Sequence, residues 1–399
     1  MSAVDTTSSP KIAILGAGLV GRLLALSLKD EFAIELFDQD DGQGQQSAAY
    51  LAAAMLAPLS ESADASKEIM ALGELALTRW PSLLKKLDNP VFFQQAGSLV
   101  VAFEQDEGNL EQFKQRLKGD EFEVVSSQKI HELEPGLNPR LKRGVYLPCE
   151  GQLDNRELLA ALETTLKAHA LTHPNFTWHS HAFITRSEQT FLNNGQPLNG
   201  SAFDWVIDCR GFGQKQEQNQ QGNHESSSEL CPKIPNLRGV RGEVLRLKAP
   251  DVQLNRPVRL MHPRYPIYIT PKEKGIFVVG ATQIETEDDR EPTVRSALEL
   301  LSACFSVHSG FAEAEILEIA AGIRPAYLDN EPKIVVQENI ININGLFRHG
   351  FLLAPAMVDA CLGIIYAKND HSNNTTHHAQ LNAVLKEMPD LIQPKSLNL

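Results

Sequence analysis

At 399 residues the chain is too long for one simple core, and its length predicts two or three domains. Its 42% hydrophobic and 22% charged residues are ordinary for a globular protein, and no uninterrupted apolar run approaches the length of a membrane span. A net charge of −13 disfavours nucleic acid as a partner; the five cysteines, odd in number and without a C-x-x-C pair, suit reduced thiols rather than a disulfide or metal framework.

Residues 1–10 lack the basic start and apolar core of a signal peptide, so we expect a frayed leader and a cytoplasmic protein. Next comes the most telling stretch, Lys11-Ile-Ala-Ile-Leu15 followed by Gly16-Ala17-Gly18-Leu19-Val20-Gly21. An apolar strand running into G-x-G-x-x-G is how a dinucleotide's pyrophosphate is held. Gly16 permits the tight turn, Gly18 lets backbone approach the phosphates, and Gly21 lets the following helix pack on the strand. That helix, expected from Leu19 to Leu28, aims its N-terminal N–H groups at the anion. Phe32 to Phe37 reads as a second strand, and Asp38 ends it about 20 residues beyond the glycines, where an acid takes ribose hydroxyls. An acid there suits FAD or NAD and disfavours NADP.

Ser47 to Pro58 is a run of small residues that reads either as a packed helix start or as a segment lying against a flat cofactor. Helical spacing follows from Ser66 to Leu87, interrupted near Trp80-Pro81, and Gly97 to Phe103 reads as a strand. Helices are expected over Glu107–Leu117 and Asn155–His169, then strands over Phe176–Trp178 and Ala182–Thr185. Phe203 to Gly213 reads as a buried strand ending in a glycine turn, where an α/β sheet meets its cofactor. Gln214 to Ser228 is polar and reads as a mobile surface loop. Strands at Val240–Leu247, Tyr265–Thr270 and Ile276–Val279, without helices between them, predict an antiparallel sheet. Thr293–Cys304 is helical in pattern. Ile340–Ile343 then forms a strand, Asn344-Gly345 a turn, and Pro355–Lys368 a closing helix. The twelve histidines lack ligand spacing, so no metal site is expected.

Several of these segments together resemble the flavin-dependent D-amino acid oxidase and glycine oxidase family. The resemblance rests on the glycine motif, Ala53-Ala-Met-Leu56, Arg241-Gly-Glu243, Ile267-Tyr-Ile-Thr-Pro271, Gly280-Ala-Thr282, Ala321-Gly-Ile-Arg-Pro325, and Asn344 to Pro355 with its Phe-Arg-His-Gly turn. It implies an α/β fold: a Rossmann-like FAD-binding domain (1–88, 148–238 and 319–399) with an inserted antiparallel-sheet substrate domain (89–147 and 239–318).

It also implies residue roles. Arg324 matches the arginine that clamps the substrate carboxylate, Tyr268 the tyrosine facing the substrate, and Arg348 the residue whose backbone carbonyl meets the substrate amine, its side chain left to solvent. The amides of Gly350, Phe351 and Leu352 face the flavin's pyrimidine oxygens. Leu19 and Val20 serve the pyrophosphate, Asp38 and Gln39 the ribose, Ala48, Ala49, Ala53, Ala54 and Met55 the flavin, and the Ala182 backbone the adenine. Gln283 stands where the family carries a methionine, which alters pocket polarity and substrate size. Ala54 replaces a glycine. With no cysteine near Arg324, non-covalent FAD is expected.

The implied activity is oxidation of glycine or a small amino acid to its imine, with oxygen as acceptor and hydrogen peroxide as product; the imine can feed thiazole assembly in thiamine biosynthesis. No general base is nominated, because the neutral amine's lone pair drives hydride loss and positioning suffices. Alternatives are another amine as substrate, a monooxygenase or NAD(P)H-linked flavoprotein, or a flavoprotein that modifies a macromolecule. No nucleic-acid or membrane partner is expected, and a homo-oligomer is left open.

Overall fold

The structure, a computed structural model of the chain, describes residues 9–187, 190–199, 202–215, 236–264, 266–368 and 375–394. Most of the expected leader, Cys231, Tyr265 and the expected polar loop beyond Lys215 lie outside the described residues.

The apolar first strand, Lys11–Leu15, is buried on both faces and sits inside a seven-stranded sheet. From one edge the order is Ile392–Gln393, Lys333–Gln337, Ile340–Asn344, Trp205–Asp208, Lys11–Leu15, Ala33–Phe37, Phe176–His179, parallel except for the pair Lys333–Gln337 and Ile340–Asn344. Ile12 and Ile14 join a core with helices Leu19–Leu28 and Gly350–Lys368, while Ala13 and Leu15 pack with Ile184 and Phe191 of a small three-stranded sheet on the other face. A near-continuous apolar strand is what two covered faces require.

The second large sheet has eight strands, in the order Glu315–Ala326, Arg238–Lys248, Ile276–Gly280, Ile267–Pro271, Val258–Leu260, Ser98–Phe103, Leu141–Leu147, Glu123–Ser126. Its pairs are antiparallel, as expected, except that Val258–Leu260 lies parallel to Ser98–Phe103. Glu315–Ala326 was not foreseen as a strand. It stays in this sheet through Ala326, so the boundary expected at 318/319 falls inside a strand. A third small sheet, Met55–Leu56, Gly151–Leu153 and Phe93–Gln94, lies where the chain crosses between the large ones.

Two expectations about the C-terminal third are corrected. The helix expected from Pro355 begins at Gly350, and a further helix, Thr375–Glu387, follows it. Proline suits a first turn, but here it lies in the helix interior and leaves the Phe351 carbonyl without its i+4 donor. Trp80 Nε1 fills that vacancy, donating to Phe351 O at 3.1 Å. Gly350–Lys368 is long and apolar enough by length and composition to cross a membrane, although Asp359 interrupts its apolar run. It is instead a core helix, 89% of its most apolar stretch being buried in protein. Its one acid, Asp359, pairs with Arg79 at 2.7 Å.

Candidate active site

A cavity of about 920 Å³ runs between the two large sheets and receives the carboxyl ends of the first sheet's strands. At its nucleotide end, Gly16 has φ +96° and its N–H donates to Phe37 O at 2.9 Å. A Cβ there would lie 2.9 Å from the Arg210 backbone. At Gly21 a Cβ would run into the Gly16 carbonyl, so this glycine permits helix–strand packing and does not line the cavity. At Gly18 the nearest atom to such a Cβ is Ser47 Oγ at 3.5 Å, which leaves the phosphate cradle open. Leu19 and Val20 open the helix with first-turn amides that helical geometry leaves free.

Asp38 and Gln39 line the cavity beyond the second strand. Burial, reinforced by neighbouring Asp40, pushes the Asp38 carboxyl up to about 7 against the pull of Arg22. Arg22 is fully buried and donates to the carbonyls of Ala17, Leu159 and Gly42, so it ties down the loop after Asp38. Ala182 lines the cavity too, but its N–H already donates to Asp38 O at 2.7 Å. Only its carbonyl is left for an adenine amino group, which narrows the backbone role expected of it.

The ambiguous run of small residues forms a helical turn and also lines the cavity. Ala48–Leu51 is one helical turn capped by Ser47, and Ala48, Ala49, Ala53, Ala54 and Met55 all line the cavity. Ala54 takes φ +51°, the left-handed region where glycine sits without strain. Asn155 Nδ2 donates to the carbonyls of Ala49 and Tyr50 and holds this segment from behind. On the far wall, the helix starting at Gly350 makes its first intrahelical bond from Leu353 N to His349 O, so the amides of Gly350, Phe351 and Leu352 are its free first-turn donors.

At the other end, the second sheet brings together Tyr268 and Arg324 across the two strands, Arg238–Lys248 and Ile276–Gly280, that separate theirs. Arg324 comes from Glu315–Ala326 opposite Val240, and its guanidinium passes over Gly242, where a Cβ would occupy the same space. It donates to Thr282 O at 3.3 Å and lies in hydrogen-bond reach of the Tyr268 hydroxyl. Among the described residues it has no carboxylate partner within 4.0 Å. Burial raises the Tyr268 hydroxyl further above its usual range than Arg324 lowers it, so the phenol stays a neutral donor. The Tyr268 ring lies over Gly280, 2.9 Å from where a Cβ would stand.

The side chain of Arg348 is not left to solvent as expected. Its Nε lies 2.6 Å from Glu61 Oε2, and Nη2 lies 3.5 Å from Asp64. His349 Nδ1 is 3.2 Å from the same Glu61 oxygen. Burial works against the Glu61 carboxylate, but Arg348 and His349 outweigh it and hold it below the usual carboxylate range. Gln283 Oε1 accepts from Arg348 Nη1 at 3.4 Å, which places this departure from the family pattern at the pocket wall. Sequence reading missed Glu61, Asp64 and Asn155. They belong to no motif, and their partners lie far away in the chain.

The cavity therefore offers a glycine cradle, a ribose acid, a flat run of small residues and a helix N-terminus, each at a separate station along its length. FAD has a part to match each of these: pyrophosphate, adenosine ribose, flavin ring and the ring's electron-rich pyrimidine edge. The family model described as FAD dependent oxidoreductase matches residues 11–360. The chain belongs to this family. Its cofactor is FAD.

Within the family, the chain is 37% identical over 348 residues to a ThiO oxidoreductase assigned to thiamine biosynthesis in Rhizobium etli, covering 87% of this chain and 94% of the relative. It is 33% identical over 131 residues to a glycine oxidase of Bacillus licheniformis, covering 31% of this chain and 34% of that one. Among solved structures, glycine oxidase from Geobacillus kaustophilus superposes with a TM-score of 0.70 at 22% identity, covering 88% of this chain and 93% of the other. Iminodiacetate oxidase from Chelativorans sp. gives 0.71 at 20% identity, covering 89% and 95%. At those identities the structures establish the shared fold, which is the family's FAD-binding sheet with an antiparallel substrate sheet.

Proposed function

We propose that the chain oxidises the amine of glycine or another small amino acid to its imine, using oxygen as the final acceptor. The observation that carries this reading is Arg324, a cation turned into the cavity beside a phenol donor and, among the described residues, without a carboxylate of its own. A planar guanidinium offers two parallel N–H donors to a substrate carboxylate, and Tyr268 adds a third from its hydroxyl. The Arg348 carbonyl accepts from the amine, while Glu61 and Asp64 occupy that arginine's side chain and hold the turn in place. Held at both ends, the substrate keeps its α-hydrogen on one side and sheds its amine proton to solvent. When bound, FAD supplies the hydride acceptor, and its reoxidation by oxygen yields hydrogen peroxide.

Positioning and charge complementarity carry the rate, and no side chain is required as a base. The imine then hydrolyses or is consumed in thiamine synthesis, the process in the name of the Rhizobium relative. Free Cys209, Cys304 and Cys361, the last two buried, fit a reducing compartment, and the cytoplasm is the location we propose. The test is anaerobic titration of the yellow holoenzyme with glycine, sarcosine and D-alanine. We expect stoichiometric loss of flavin absorbance with at least one of them, none with NADH, and peroxide once air is admitted. No bleaching by any small amino acid would overturn the reading.

A further inference from the structure

Lys272 is a lysine that nothing in the proposed reaction uses. It follows Ile267–Pro271 and, by strand alternation, shares the face of Tyr268 and Thr270. Only 6% of it is exposed. Its Nζ donates to Leu153 O at 2.7 Å, Ala53 O at 2.9 Å and Gln152 Oε1 at 3.2 Å, and among the described residues no carboxylate lies within ion-pair distance of it. Three acceptors match the three N–H bonds of an ammonium. Burial pulls its ammonium down to about 7, and a buried ammonium satisfied only by neutral oxygens is a costly way to fill space, which an apolar side chain would do better. Its placement is explained by what it joins.

What it joins are three segments remote in sequence. Ala53 opens the run that lines the flavin station and precedes Ala54 at φ +51°; Gln152 and Leu153 belong to the strand that pairs with Met55–Leu56; Lys272 continues the strand of Tyr268. We propose that Lys272 is a positioning residue that docks the flavin-facing run Ala53–Met55 onto the strand carrying Tyr268, setting the spacing between flavin and substrate anchor. The part concerning Tyr268 rests on the proposed oxidase function; the part concerning FAD rests on the family alone.

The test compares the Lys272→Met and Lys272→Arg holoenzymes with the native protein. For Lys272→Met, which strands the Ala53 and Leu153 carbonyls, we expect FAD to dissociate about tenfold more readily, read from flavin fluorescence, with a shifted visible spectrum. We also expect kcat for glycine to fall about tenfold while KM moves little, because the carboxylate clamp is untouched. Lys272→Arg keeps the cation and should recover part of the FAD affinity. Should Lys272→Met fail to fold, Lys272→Arg decides: a shifted flavin spectrum and a lowered kcat support the proposal, and native values overturn it. Native FAD affinity, spectrum and kcat in Lys272→Met, with only thermal stability lowered, would equally overturn it. If the native enzyme does not oxidise glycine, FAD affinity and spectrum still decide whether Lys272 positions the flavin-facing run.

Discussion

Arg324 owes its freedom to a neighbour without a side chain. Because Gly242 leaves room above the adjoining strand, the guanidinium reaches the cavity with its charge uncommitted. Replacing it with methionine should lower kcat/KM for glycine by about 10²–10³, the loss of two charge-assisted hydrogen bonds, in steady-state peroxide assays. The flavin spectrum should stay native, since Arg324 serves the other end of the cavity. Asp38 leads to a pH prediction. Burial and Asp40 hold its carboxyl near 7 in the absence of nucleotide, and the ionised form is the better acceptor of ribose hydroxyls. The affinity of apoprotein for FAD should therefore rise with pH through about 7, and Asp38→Asn should flatten that rise in fluorescence titrations. Asp38 and Arg324 were legible in the sequence because strand-ending acids and the Gly-x-Arg-Pro setting have local signatures. Glu61 and Lys272 were not. Glu61 follows Pro58-Leu-Ser with nothing to mark it, and it becomes part of the site only when residue 348 folds back against it.

Among the elements, two helices with a well-marked apolar face were read well: Leu19–Leu28 has the expected bounds, and Asn155–Thr172 runs only one turn further. The strand Glu315–Ala326 escaped because its side chains are partly exposed along most of its length, so the two-residue alternation that reveals a half-buried strand is missing. The start of Gly350–Lys368 escaped for a different reason. A tryptophan 271 residues away in sequence supplies the donor that makes Pro355 tolerable. Trp80→Phe should therefore lower stability by about 2 kcal/mol, the penalty of a stranded buried carbonyl, and loosen FAD at the same helix start; thermal unfolding with and without added FAD measures both. Ala54→Gly should act in the opposite direction. It relieves a left-handed alanine at about 1–2 kcal/mol, offset by glycine's extra unfolded-state entropy of about 0.5–1 kcal/mol, so the melting temperature should rise slightly.

In the whole molecule, two sheets meet along one elongated cavity, and neither sheet alone encloses it. The overall pattern was visible beforehand: a chain that begins a parallel sheet, leaves to build an antiparallel one, and returns. The place of return was not, because Ala326 ends a strand of one sheet and Lys333 begins a strand of the other with only a short turn between. FAD, spanning that cavity, binds the folded state and not the unfolded chain. At a thousandfold excess over its dissociation constant it should add about 4 kcal/mol to stability, measurable as a higher melting temperature for holoprotein than for apoprotein.

The strand order of the first sheet also dictates a schedule. The ribosome delivers Lys11–Leu15 and Ala33–Phe37 at the outset, Trp205–Asp208 midway, and Ile340–Asn344 with its long apolar helix near the close. Until that last delivery, Trp205–Asp208, the strand beside the glycine cradle's own, has no partner on its other side, and the flavin station lacks its far wall. Cofactor capture thus waits for residues 340–368, and a nascent chain interrupted before Gly350 would leave the ribosome colourless.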